Sequence, residues 1–250
     1  MNADTTVIPD SAMSSSLEDY LETIYLLVQD QGFARVKDVA KAREVKAASV
    51  SIALRKLAEM DLIRYERREY IALTEMGEEK GRRVFSRHRL LTRFFEEILH
   101  MPTRAAGEQA CAMEHSLTDD AMDRMARLFE FLGGCPSILE TFHRSLGALS
   151  DKPLAKKSHD LAGCTLCSHK PDRHTATLAS LRPGQKATVS KLTASGALRQ
   201  RLLDMGVLPE TSIELERVGL GGDPLWVRCQ GARLALRKSE ANSILVHGEK

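Results

Sequence analysis

The chain has 250 residues with 36 basic and 34 acidic side chains, and its net charge of +2 by itself indicates no class of partner. No stretch approaches the ~20 apolar residues of a membrane span, and residues 1–16 lack the basic start and apolar core of a signal peptide. The five cysteines are odd in number and unevenly spaced, which argues against a disulfide framework. We therefore expect a cytoplasmic protein with no membrane partner.

The first third of the chain predicts two short helices followed by a β-hairpin. Apolar residues recur at three- and four-residue intervals from Leu17 to Val28, which is typical of an amphipathic helix. Short helices are then predicted at 36–42 and 47–60, and β-rich pieces at 62–65 and 70–73 enclose a basic tip. This order predicts a winged helix-turn-helix.

The same region carries a local excess of positive charge. Residues 33–68 hold ten basic and five acidic side chains, which suits a surface that faces phosphates. We therefore predict double-stranded promoter DNA as a partner, although a solvated basic face with turn arginines would leave the same pattern. The predicted DNA-binding residues are Lys37, Lys46, Ser49, Ser51, Ile52, Arg55, Lys56, Arg67 and Arg68.

A cluster of metal-ligand residue types follows. Helices are predicted from 74 to about 99, from about 104 to 116 and from about 118 to 132. In the second of these, residues i, i+3 and i+4 would project a thiolate, a carboxylate and an imidazole from one face. With a histidine on the preceding helix and two carboxylates near the start of the chain, they could meet at one divalent cation. The predicted metal ligands are Asp19, Glu22, His88, Cys111, Glu114 and His115.

Structural roles stay open for three of these residues. Cys111 could serve only as a small buried apolar side chain. Asp19 could only favour the helix dipole in a first turn, and Glu22 could be an exposed helix charge.

The final third of the chain changes in composition. Residues 150–175 predict a linker that contains a single CxxC, and Zn²⁺ or an iron–sulfur cluster could be held by Cys164, Cys167 and His169. Alternating apolar pieces separated by glycine and proline turns then predict a small β-domain.

Two family resemblances rest on these motifs. Residues 14–149 resemble the diphtheria-toxin-repressor family of metal-dependent transcriptional repressors, through LEDYLETIY at 17–25, LTEMG at 73–77, RHRL at 87–90 and Cys111-x-x-Glu114-His115. Residues 178–246 resemble the small SH3-like barrel of ferrous-iron-transport A (FeoA) proteins, through LRPG at 181–184, LRQRLLDMG at 198–206, DPL at 223–225 and LALR at 234–237.

The resemblance implies a mainly α fold with a small β part. The implied domains are a disordered N-terminus at 1–13, a winged helix-turn-helix DNA-binding domain at 14–75, a helical dimerisation and metal-binding domain at 76–149, a linker at 150–175 and an SH3-like β-barrel at 176–250.

The resemblance also implies a homodimeric repressor, and not an enzyme, that binds DNA when its metal site is filled. The ligand set is a hybrid, since Asp19 and Glu22 resemble the manganese-responsive branch and Cys111 resembles the iron-responsive branch. We expect Fe²⁺, with Mn²⁺ as the alternative. Thr92 and Gly107 replace an ancillary carboxylate and histidine of the iron branch, so we expect no second site of that kind.

The recognition helix departs from the family pattern at Ala48 and Ile52, which leaves the DNA sequence unpredicted. Two other functions stay open. The chain could be an accessory protein of ferrous-iron transport, or a DNA-binding iron–sulfur or redox sensor that uses the linker cysteines.

Overall fold

The computed structural model describes residues 13–65, 70–133, 136–148 and 176–248. The chain divides into two compact units, Met1–Phe85 and Ser86–Lys250. The predicted boundaries of the domains stay a prediction. Three predictions fall on residues that the structure does not describe: the N-terminal segment apart from residue 13, the wing arginines Arg67 and Arg68, and the linker site of Cys164, Cys167 and His169.

The first unit contains the three predicted helices and the hairpin. Its elements are α1 (Ser15–Gln31), α2 (Val36–Ala42), α3 (Ala47–Glu59), β1 (Ile63–Arg64), β2 (Ala72–Leu73) and the first part of α4 (Glu75–Arg93). Gly32 caps the carboxyl end of α1, and its φ of 80° is a left-handed conformation that glycine adopts without strain. The β1 and β2 strands pair antiparallel, and a bridge between Ala34 and Ile71 ties the hairpin to the start of α2.

The core of this unit explains the orientation of α3. Its buried side chains are Val50, Ala53, Leu54 and Leu57, at spacings that place them on one helical face. They pack in one cluster with Leu21 and Ile24 of α1. The opposite face of α3 therefore lies toward solvent, as a recognition helix requires.

The helical part of the second unit begins within α4. A π-helical turn (Phe94–Ile98) follows α4 directly, and then come α5 (Thr103–Glu114), α6 (Asp119–Gly133) and α7 (Pro136–Ala148). The predicted continuous helix to residue 99 is thus α-helical only to Arg93. No helix in the described ranges is both long and apolar enough to cross a membrane.

A six-stranded antiparallel sheet forms the rest of this unit. Its elements are β3 (Ala176–Thr177), β4 (Lys186–Leu192), α8 (Gly196–Asp204), β5 (Ser212–Val218), β6 (Leu225–Cys229), β7 (Ala232–Leu236), α9 (Lys238–Ala241) and β8 (Ile244–Gly248). The strand order is β3-β8-β4-β5-β6-β7. Strand β7 shows the alternation of a sheet with one covered face, because Ala232, Leu234 and Leu236 are buried while the residues between them are exposed. Together with the helices, this sheet confirms the predicted fold class.

One hydrophobic core joins the helices of the second unit to the sheet. The cluster includes Ala106, Met122 and Ala126 from α5 and α6, and Leu202 and Val227 from the β-domain. The small alanine side chains allow close packing. The β-domain therefore shares a hydrophobic core with the helical segment that carries predicted metal ligands, and the two do not have separate cores.

Candidate metal centre

The centre lies at the carboxyl end of α5. Glu114 is the last residue of this helix and is 2% exposed, and His115 follows it directly. Cys111, Glu114 and His115 each offer one ligand atom, and these atoms lie within 4.8 Å of one another. The predicted i, i+3, i+4 spacing therefore brings the three side chains together. A helix carries partial negative charge at this end, which also favours a cation.

His88 of α4 joins this group. Its Nδ1 lies 2.9 Å from Oε2 of Glu114, which is a hydrogen-bond distance. We call His88, Cys111, Glu114 and His115 the Glu114 cluster. It places a thiol and two imidazoles around the carboxylate of Glu114 in the second unit.

The chemistry of Glu114 indicates that a cation fits this cluster. Its Oε1 is buried and makes no hydrogen bond within the described part of the chain, although Nε2 of His115 lies 3.4 Å away without the alignment of a hydrogen bond. An unsatisfied buried carboxylate oxygen is costly unless a positive charge compensates it. Thiolate, imidazole and carboxylate are together ligands for Fe²⁺, Mn²⁺ or Zn²⁺.

Arg87 fixes the end of α5, a role that the sequence does not indicate. Its Nη2 donates to the Glu114 carbonyl over 2.9 Å, and the same guanidinium donates to the Leu117 carbonyl. Its Nη1 pairs with Asp119 at the start of α6 over 2.8 Å. The bond to Glu114 satisfies a carbonyl that the end of α5 leaves without a helical partner. Arg87 thus holds the backbone of the centre, while its neighbour His88 contributes the imidazole.

The two remaining predicted ligands lie on α1, in the first unit. Asp19 accepts an ion-pair hydrogen bond at Oδ2 from Arg43 over 2.7 Å. Glu22 is 8% exposed, so it is a buried carboxylate rather than an exposed helix charge. Their membership of the metal site stays a prediction.

Cys229 shows by contrast what a structural thiol looks like. Burial raises the pKa of this β6 cysteine to about 12 despite the nearby charge of Arg89, and its Sγ donates to the Gly206 carbonyl over 3.3 Å. A buried thiol with a raised pKa in apolar surroundings is typical of a structural cysteine. Cys111 is instead partly exposed and lies beside carboxylate and imidazole groups.

The predicted DNA-binding residues lie on the outer face of the helix-turn-helix. All of those that the structure describes are exposed except Ser51, which is half-buried and donates to the Ala47 carbonyl over 3.0 Å. Ile52, at 52% exposure, is a large apolar side chain on this otherwise polar face. The exposed residues are Lys37, Lys46, Ser49, Ile52, Arg55 and Lys56. Their role in DNA binding stays a prediction.

A helix-turn-helix with an exposed basic face, combined with metal-ligand groups clustered around the buried Glu114, defines a metal-dependent DNA-binding regulator. Three family descriptions match the chain and cover most of it. They are "Iron dependent repressor, N-terminal DNA binding domain" at residues 12–70, "Iron dependent repressor, metal binding and dimerisation domain" at 74–143, and "FeoA domain" at 176–247. The chain belongs to the iron-dependent, or diphtheria-toxin-repressor, family and carries a C-terminal FeoA domain.

Curated relatives agree with this assignment. The chain is 38% identical over 116 residues to the HTH-type transcriptional regulator MntR of Shouchella clausii, covering 46% of this chain and 80% of that protein. It is 33% identical over 119 residues to an uncharacterised HTH-type transcriptional regulator of Methanocaldococcus jannaschii, covering 47% of this chain and 95% of that protein. These relatives are transcriptional regulators, and this chain is not an enzyme.

Among solved structures, the crystal structure of T. acidophilum IdeR is similar. It shares 21% identity, the match covers 93% of this chain and 97% of that one, and the TM-score is 0.42.

Proposed function

We propose that this metal-dependent repressor is a homodimer that binds promoter DNA when its Glu114 cluster holds Fe²⁺, with Mn²⁺ as the alternative cation. The observation that carries the proposal is the buried Oε1 of Glu114, which makes no hydrogen bond within the described chain although Nε2 of His115 lies 3.4 Å away and Cys111 offers a ligand atom beside the same carboxylate. A bound cation would supply the positive charge that this oxygen lacks. This function would place the protein in the cytoplasm.

The donor set supports the preference for iron. A cysteine thiolate is a soft ligand that Fe²⁺ accepts more readily than Mn²⁺, whereas carboxylates suit both ions. Asp19 and Glu22 enter the proposed ligand set from the sequence pattern alone, and they would supply the carboxylates. Zn²⁺ and Co²⁺ would also bind such a set in vitro, so only a ranking of affinities decides the ion.

Ligands on α1 as well as α5 would make DNA affinity depend on the cation. Two recognition helices of a dimer must match half-sites one helical turn of DNA apart, so a small shift of the DNA-binding domain changes affinity. A coupling on the order of 1–3 kcal/mol between cation and DNA is typical of such linked sites.

The surface of α6 supports the proposed dimer. Leu128 and Phe131, at i and i+3, share one side of the helix and are 45% and 60% exposed. Exposed large apolar side chains at this spacing are typical of an interface. A second copy of the chain would cover them.

The test is fluorescence anisotropy of a labelled duplex from the region upstream of the gene, under anaerobic conditions, with chelator, Fe²⁺ or Mn²⁺. The parent protein is compared with Glu114→Ala and with a matched variant on the same helix, Glu108→Ala. Glu108 is 63% exposed and pairs only with Arg104 of its own helix among the described residues. We expect cation-dependent binding for the parent and for Glu108→Ala, and none for Glu114→Ala.

Other outcomes separate the alternatives. If the parent binds DNA equally with and without the cation, the Glu114 cluster has only a structural role. That result would favour the iron–sulfur or redox sensor that uses the linker cysteines. Absence of binding to this and to unrelated duplexes would favour the transport-accessory function.

A further inference from the structure

Arg43 connects a predicted metal ligand to the turn of the helix-turn-helix. Its Nη2 lies 2.7 Å from Oδ2 of Asp19, and the side chains are 28% and 14% exposed. Asp19 lies in the second turn of α1, whereas Arg43 directly follows α2. The contact spans 24 residues of sequence within the first unit.

The local structure fixes this arginine. Its backbone N–H donates to the Val39 carbonyl and caps α2, and the next residue, Glu44, has a φ of 54°. The guanidinium carbon lies 5.5 Å from the ring centroid of Tyr20, a cation–π distance. Its Nε is buried and makes no hydrogen bond to any described residue. The guanidinium is therefore held in place by the ring and by one carboxylate oxygen.

We propose that Arg43 is a positioning residue that orients Asp19 for the cation and links this ligand to the turn before α3. A carboxylate has two oxygens, so one can accept from a guanidinium while the other meets a cation. Residues that hydrogen-bond metal ligands in this way set the orientation of the ligand and strongly affect metal affinity. The inference rests on the proposed function, because it requires Asp19 to be a ligand.

Because Arg43 lies just before α3, its contact with Asp19 can affect the helix that carries the predicted DNA-binding residues. Only residues 44–46 separate it from the first residue of α3, the helix that carries Arg55 and Lys56. Fixing the Asp19 carboxylate would restrain the arginine and with it the α2–α3 turn. The opposite arrangement, in which Arg43 competes with the cation for Asp19, predicts the opposite change in metal affinity, so the two are separable.

The experiment measures the Mn²⁺ affinity of the full-length protein by anaerobic competition with a fluorescent chelator, which needs no DNA. Arg43→Met keeps an apolar stem against Tyr20 and removes the charge, whereas Arg43→Lys keeps a charge. Arg82→Met is the matched control, since Arg82 also forms an ion pair within the first unit, with Glu78 over 3.1 Å, and also has a buried Nε without a partner in the described chain.

We expect Arg43→Met to weaken Mn²⁺ binding about 10- to 100-fold, Arg43→Lys to weaken it less, and Arg82→Met to leave it unchanged. Melting temperatures without metal identify any variant that fails to fold, and Arg43→Lys then carries the test. In the anisotropy assay, Arg43→Met should also reduce the gain in DNA affinity at saturating Mn²⁺.

Mn²⁺ affinity of Arg43→Met equal to that of the parent would overturn the inference, and tighter affinity would show competition instead. Glu114→Ala and Asp19→Asn separate this failure from that of the proposed function. If neither weakens Mn²⁺ binding, the proposed metal site itself is wrong. If both weaken it while Arg43→Met does not, only the role of Arg43 is wrong.

Discussion

The Arg199 guanidinium on α8 donates to the Glu130 carboxylate on α6 over 3.0 Å, with the two side chains 1% and 5% exposed. Its Nε pairs with Asp123, which lies two turns before Glu130 on the same face of α6. Its Nη1 donates to the Leu192 carbonyl over 2.7 Å. Glu130 also accepts from the Leu192 amide over 3.2 Å. This buried network joins the FeoA domain to the helical segment of the metal centre.

Arg199→Met should strongly destabilise the second unit. Removing one member of a buried ion pair leaves the other charges uncompensated, at a cost of about 3–5 kcal/mol. Urea unfolding followed by circular dichroism measures the effect. The control is Arg124→Met, since Arg124 pairs with Asp120 on the surface with both side chains over 70% exposed, and such pairs contribute at most ~1 kcal/mol. Equal effects of the two substitutions would contradict the structural importance of the network.

The same network should make stability depend on pH through Asp123. Burial raises the pKa of this carboxyl, but hydrogen bonds from Arg127 and Arg199 and their positive charges outweigh burial, so the pKa lies below its usual value. A group whose pKa is lowered by folding contributes stability above its unfolded pKa, and that contribution is lost as the pH falls through the folded pKa.

The free energy of unfolding should therefore fall as the pH is lowered below about 4, and Asp123→Asn should flatten this dependence while lowering stability at neutral pH. Urea titrations between pH 3 and 7 measure both quantities. Asp120→Asn, which alters an exposed neighbour, should retain the slope of the parent. An unchanged slope in Asp123→Asn would exclude Asp123 as its source.

Local patterns predicted much of the fold and part of the site. Helix α2 spans 36–42 as predicted, and the spacing within α5 correctly brings Cys111, Glu114 and His115 together, because both depend on helical geometry alone. The role of Arg87 and the packing of the FeoA domain could not be predicted. Arg199 meets Asp123 across 76 residues of sequence, and a lone arginine on a helix is most simply a solvated charge. Long-range pairing of this kind has no local signal.

Metal binding should raise thermal stability, a readout independent of DNA. A ligand that binds only the folded state at 100 times its Kd adds about 2.7 kcal/mol, so Mn²⁺ should shift the melting temperature of the parent upward. Glu114→Ala should abolish this shift because it removes the carboxylate at the centre of the cluster. Differential scanning fluorimetry measures it, with Glu108→Ala as control. A full Mn²⁺ shift in Glu114→Ala would place the bound ion elsewhere.

Phosphate contacts from α3 should appear in the salt dependence of DNA binding. Arg55 and Lys56 are exposed on the face of α3 opposite its core. If each contacts a phosphate, replacing either by alanine should weaken binding to all sequences and lower the slope of log K against log salt by about 0.9. Anisotropy titrations at several salt concentrations measure the slope. Lys238→Ala, which removes an exposed charge from α9 in the FeoA domain, should leave it unaltered.

Gly77 should tolerate no side chain, although it lies in the first turn of a long helix. A Cβ at this position would lie 1.7 Å from the backbone carbonyl oxygen of Leu62, just before β1. Backbone atoms cannot rotate away, so Gly77→Ala must displace α4 from the hairpin. The cost should reach or exceed the 1–3 kcal/mol typical of overpacking.

Gly107→Ala provides a matched comparison, because it should raise the free energy of unfolding whereas Gly77→Ala should lower it. Gly107 lies inside α5, and a Cβ there would meet no atom within 4 Å. Alanine in a helix interior is favoured over glycine by about 0.5–1 kcal/mol. Urea midpoints should therefore fall for Gly77→Ala and rise for Gly107→Ala. A neutral Gly77→Ala would mean that the close approach of α4 to the residue before β1 is not maintained in solution.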